Sequence, residues 1–175
     1  MAALLLFGLH GARAFAHEPG ATGCAAFSWD VAGLLEVMRA PAAAVRASAA
    51  VPDPAVPLLP SRHYSVALPP QSGVRFAVPP ARPARDADPR GGSLRLAIDR
   101  AGRYRIALSG GHWLDVVVEG VALESLGHQG AKDCAPVHKI VEFELPAGRP
   151  LTLQISGRAQ PVVELAIVPV SASRD

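Results

Sequence analysis

Residues 102–120 read GRYRIALSGGHWLDVVVEG, from Gly102 to Gly120. Tyr104, Ile106 and Leu108 fall on one side of an extended chain while Arg103 and Arg105 fall on the other, the period of two expected of a half-buried strand. Beyond Ser109-Gly110-Gly111 the alternation resumes, with Leu114, Val116 and Val118 opposed to Asp115, Val117 and Glu119. The glycines supply the positive φ of a tight reversal, so the spacing predicts a β-hairpin turning at Ser-Gly-Gly, with His112 and Trp113 beside the turn.

The same alternation continues on both sides. Downstream, a short strand over 122–126 follows a Glu119-Gly120 turn, and residues 127–136 form a loop carrying Cys134. Three further strands follow: HKIVEFELP with Val141, Phe143 and Leu145 inward, LTLQISG with Leu151, Leu153 and Ile155 inward, and VVELAIVPV. Upstream, SLRLAID starts at Ser93, and RHYSVALP and VRFAVPP flank Gln71-Ser72-Gly73 as a second predicted hairpin. Residues 81–92, ARPARDADPRGG, are a polar interruption. Short strands at intervals of about 8 to 12 residues, with no 3.6-residue apolar period after residue 61, predict an all-β protein: an antiparallel, jelly-roll-like β-sandwich.

Before the strands, Val31, Leu34, Leu35 and Met38 recur at helical spacing within DVAGLLEVMR, with Asp30 placed to cap the helix and Pro41 ending it. Residues 42–60 are rich in alanine and proline and are expected to form a linker or extended surface arm. The expected organisation is a signal peptide over 1–16, an N-terminal arm over 17–60 and a sandwich domain over 61–170.

Half the residues are hydrophobic but only 5% are aromatic, so the core must come from aliphatic side chains. The 15 Arg and 2 Lys are scattered, the formal net charge is +2, and no basic run suggests a nucleic-acid partner. AALLLFGLHGARAFA ends in the small-x-small triplet Ala14-Phe15-Ala16, the form of a secretory signal cut before His17, although no basic segment precedes it. Its apolar run falls short of the ~20 residues a bilayer requires, so no stable membrane span is expected after processing. Two cysteines in an exported chain predict a Cys24–Cys134 disulfide and a periplasmic or secreted protein.

Within residues 92–157, the runs Ala101-Gly102-Arg103-Tyr104 to Ser109, Leu114 to Gly120, and Leu145-Pro146-Ala147-Gly148 before Leu151-Thr152-Leu153 form a pattern. The pattern resembles the pre-peptidase C-terminal sandwich domains of secreted bacterial proteases and, more loosely, carbohydrate-binding sandwiches. That resemblance implies an accessory, non-catalytic role and carries over no catalytic residue. The whole chain is also similar to small exported bacterial proteins labelled homogentisate dioxygenase. The label implies an iron site of two His and a Glu on a cupin barrel, and the sequence has no His-x-His or His-x-x-x-x-Glu cluster of that kind.

Three groups of residues can carry chemistry. Cleavage before His17 would expose an α-amine and an imidazole together, and with His63, His112, His128 or His138 as further ligands these nitrogens suit copper, the one candidate cofactor. This layout is similar to that of exported copper carriers and copper-dependent polysaccharide oxygenases. In GHQGAKDCAPVHK, His128, Cys134 and His138 have metal-ligand spacing if the thiol is free. Finally, His112, Trp113 and Asp115 could form an exposed ligand patch, the Trp stacking on a sugar ring. Ser109, His112 and Asp115 assemble as a hydrolase triad on paper only, because alternation separates His112 from Asp115. The leading expectation is an exported binding or accessory module, its partner a carbohydrate or another envelope protein. The alternatives are a copper protein and a small oxygenase or hydrolase.

Overall fold

The computed structural model describes residues 22–50 and 57–170. The expected signal peptide, His17 and the middle of the Pro/Ala-rich stretch therefore lie outside the described residues. Along the described chain, α1 (Ala32–Arg39) precedes β1 (Ala43–Arg46), β2 (His63–Ala67), β3 (Arg90–Leu96), β4 (Gly102–Leu108) and β5 (Trp113–Val118). These are followed by β6 (Val121–Ala122), β7 (Gly127–Gly130), β8 (Lys139–Leu145), β9 (Leu151–Arg158) and β10 (Val162–Pro169).

The strands form two sheets, ordered β1-β2-β10-β4-β8-β7 and β3-β9-β5-β6. Every pairing is antiparallel except β1 with β2. From β3 to β5 and again from β8 to β10, successive strands alternate between the sheets, the winding of a sandwich.

Alternation decides what each sheet buries. Tyr104, Ile106, Leu108, Val141, Phe143, Leu145, Leu165 and Ile167 from the first sheet meet Leu94, Leu114, Val116, Leu151, Leu153 and Ile155 from the second in one core. The opposite face of the first sheet is covered as well. Ala166, Ala107 and Ile140 are cross-strand neighbours there, and the two alanines leave room for Leu34 and Met38 of α1 and for Phe27. Val31, not the expected Asp30, is the N-cap, since its carbonyl accepts the first helical bond from Leu35 N at 2.9 Å; Asp30 stands one residue earlier, its Oδ1 accepting from Ala32 N at 2.9 Å. The Cys24–Cys134 disulfide ties this N-terminal segment to the loop before β8.

The predicted hairpin over 102–120 is not one. β4 lies in the first sheet between β10 and β8, and β5 lies in the second beside β9. Periodicity reveals which face of a strand is buried, and both strands do face one core, but it carries no information on which sheet each one joins. Ser109 stays on β10, its N donating to Glu164 O at 3.0 Å and its Oγ accepting from Glu164 N at 2.9 Å. Neither Gly110 nor Gly111 has positive φ. A Cβ at Gly110 would lie 3.0 Å from Nδ1 of the buried His112, and 2.6 Å from Gln160 Oε1, the movable end of an exposed side chain. The tight reversal in this region is Glu119-Gly120, with φ of 50° and 81°, which joins β5 to β6.

Three smaller expectations also change. Residues 74–80 form no strand with β2; they begin a segment, 74–89, that crosses the outer face of the second sheet. The amides of Ala77 and Val78 bond to the Gln154 side chain instead of a strand, and prolines 79, 80 and 83 offer no donors. The predicted 127–136 loop contains β7. The Pro/Ala-rich stretch is not only a surface arm: β1 extends the sheet edge, and Ala47 and Leu58 are buried in the core.

Candidate functional site

The outer face of the second sheet is polar and covered. Ser93, Asp115, Gln154 and Ser156 project there from neighbouring strands, each buried. Gln154 Oε1 accepts from Ala77 N at 2.7 Å and Val78 N at 3.2 Å, and its Nε2 donates to Val78 O at 3.1 Å. Farther along, Arg85 N donates to Gly157 O at 3.0 Å, and Asp86 Oδ2 accepts from Ala159 N at 2.7 Å. These bonds lay segment 74–89 across the sheet and bring Arg82 and Arg85 to its end.

There the segment, β7 and the facing ends of β5, β8 and β9 enclose a cleft of about 550 Å³. Trp113, Arg82, Arg85, Lys139, Arg158 and His138 line it, and His128 borders it from the exposed edge strand β7. No Asp or Glu is among its lining residues. The Lys139 ammonium sits 4.6 Å from the centre of the Trp113 ring and the Arg82 guanidinium 5.4 Å from it, within cation–π range. Lys139 Nζ also donates to His112 O at 3.4 Å. Burial, and next the nearby Arg85, lower the Lys139 pKa, with Asp115 acting in the opposite direction.

Behind the cleft, Trp113 Nε1 donates to Asp115 Oδ1 at 2.8 Å, which orients the indole. Burial raises the Asp115 pKa, while this bond and one from the Ala81 backbone lower it. The exposed patch expected at 112–115 is absent, because Asp115 lies under segment 74–89 and His112 is fully buried at the crossover between sheets. His112 Nε2 faces Gln160 O at 3.2 Å, and desolvation lowers its pKa. Trp113 alone of the three reaches the cleft, where it holds cations and is not a bare stacking platform. Ser109, His112 and Asp115 bond to three different partners and form no relay.

The remaining histidines separate into two places. His63 lies outside the cleft, on the α1 side of the first sheet, with Nδ1 2.8 Å from Ala40 O and Nε2 2.9 Å from Glu164 Oε2. His128 and His138 both line the cleft, but the cysteine between them is oxidised, which removes the thiolate from the His128-Cys134-His138 set. Among the described residues no group of three or more His, Cys, Asp or Glu is placed to hold a metal ion.

Arg82, Arg85, Lys139 and Arg158 were not singled out by the sequence. Scattered from 82 to 158, they form no run; the one available signal was that Lys139, one of two lysines, adjoins His138. No family model, curated protein or solved structure matches the chain.

Proposed function

We propose that this chain is an exported, non-catalytic binding module whose ligand seats in the Trp113 cleft. One observation carries the reading: both sheets and segment 74–89 converge to frame a cleft of about 550 Å³, within the range of ~300–1,000 Å³ typical of small-ligand sites. Export is supported by the Cys24–Cys134 disulfide, since such bonds persist in oxidising compartments. Among the described residues no helix is long and apolar enough to cross a membrane. The accessory role implied by the resemblance to pre-peptidase C-terminal and carbohydrate-binding sandwiches fits the same picture.

The test is a titration of isotope-labelled protein with a panel of neutral and acidic mono- and disaccharides and phosphorylated sugars, following the indole N–H signals of Trp29 and Trp113. A saturable shift of the Trp113 signal, abolished by Trp113→Ala, is expected for at least one member. No shift across the panel, or shifts that persist in Trp113→Ala, would remove the cleft as the binding site.

A copper-handling role is the second reading, favoured by the convergence of His128 and His138 on one cleft. Intact mass and metal analysis of protein from the envelope fraction separate the two. A chain starting at His17, two hydrogens light and carrying one equivalent of copper that is lost in His138→Ala, would place copper first.

A further inference from the structure

The cleft holds more positive charge than its surroundings neutralise. Of its four Lys and Arg residues, only Arg158 has an ion-pair partner among the described residues, Asp86 at 3.4 Å. Arg82 and Lys139 are positioned by the Trp113 ring, and Lys139 also by the His112 carbonyl, so the charges are organised before any ligand arrives. Gly111, Gly130 and Gly157 form part of the wall.

Resting on the binding-module reading above, we infer that the cleft recognises a small molecule through a phosphate monoester or diphosphate group. Two arguments select this chemistry. Charge is the first: Arg82, Arg85 and Lys139 have no ion-pair partner among the described residues, so a single carboxylate would leave two cations crowded, whereas a phosphate monoester carries about −1.5 to −2 at neutral pH. Geometry is the second: guanidinium forks donate paired N–H groups to phosphate oxygens, and a lysine beside them acts as a point charge. Burial is the first cause of the lowered Lys139 pKa and the Arg85 charge the second, and a dianion in the cleft offsets the second. The volume exceeds that of a phosphate alone, leaving space for an organic body against Trp113. The cations sit in one cleft at the end of the sandwich, not along a track, which fits a compact ligand and not a polynucleotide backbone.

The experiment is calorimetric titration of the full exported protein at low salt with four probes: inorganic pyrophosphate, a hexose 1-phosphate, a hexuronic acid and a neutral disaccharide. Sedimentation with phosphatidic acid vesicles is a fifth arm. Pyrophosphate and the hexose phosphate are expected to bind, more weakly as salt rises. Arg85→Ala and Arg82→Ala, both at exposed positions, should each weaken binding by about tenfold. Sedimentation with vesicles, lost in the same variants, would support the inference with the phosphate on a lipid headgroup. Binding of the hexuronic acid or disaccharide alone, lost in Trp113→Ala, would overturn the phosphate assignment and leave the binding module standing. Phosphate binding unaffected by Arg82→Ala, Arg85→Ala and Trp113→Ala would overturn the inference and locate the site elsewhere. Silence from every probe would overturn both.

Discussion

Replacing Gln154 with leucine tests whether one buried side chain holds the cation-bearing segment in place. Gln154 is fully buried and makes three hydrogen bonds to residues 77 and 78, at 2.7, 3.2 and 3.1 Å. Leucine keeps most of the volume but strands two amides and one carbonyl. A stranded buried polar group costs about 1–3 kcal/mol. Ala77 is exposed and Val78 half-buried, so water reaches these amides after slight opening, and each loss belongs near 1 kcal/mol. The three together predict a destabilisation of about 3 kcal/mol, which for a chain of this size lowers Tm by roughly 6–12 °C. Urea unfolding measures the free energy, and amide exchange at Ala77 and Val78 locates it, with protection at both expected to fall by more than that of the β4–β8 ladder. The variant should also weaken anion binding, because Arg82 and Arg85 ride on the released segment. A Gln154→Leu protein within ~0.5 kcal/mol of the parent, with unchanged exchange at both amides, would refute the reasoning.

The disulfide closes a loop with a sequence separation of 110, so Cys24→Ala with Cys134→Ala should lose about 4–5 kcal/mol in the chain-entropy model, and limited proteolysis should then cut first between Phe27 and Arg39; unchanged denaturant stability would refute this. His112 is buried with its pKa lowered, so the unfolded chain takes up a proton that the folded protein refuses as pH falls below 6.5. Stability should therefore be full above that pH and decline below it, and His112→Gln should flatten the difference between unfolding free energies at pH 7 and pH 5; equal slopes in parent and variant would count against it.

Much of the fold is legible because strand patterning is a local property. Leu151, Leu153 and Ile155, or Val141, Phe143 and Leu145, alternate with their neighbours, and the core uses those faces. The helix over 32–39 is legible from its apolar spacing, though it begins one residue later than an Asp30 cap would place it. The error at Ser109-Gly110-Gly111 shows the limit. A glycine pair reads as a tight turn, but here neither glycine has positive φ and the chain crosses between sheets, because Ser109 is held by β10 and Trp113 pairs with β9.

The candidate site was legible only through Trp113, His128 and His138. A scattered set of arginines looks like a solvated surface until two sheets and a crossing segment bring four cations to one end of the molecule. The sequence by itself determined the all-β class, the inward faces, the amphipathic helix and the pairing of two cysteines, since each depends on side-chain period or on a choice with one answer. Tertiary structure alone decided which sheet each strand joined, that His112 and Asp115 are buried while Trp113 is not, and that Arg82, Arg85, Lys139 and Arg158 share a cleft. Those outcomes depend on hydrogen bonds and Coulomb interactions between residues tens of positions apart, and sequence periodicity does not encode such distances.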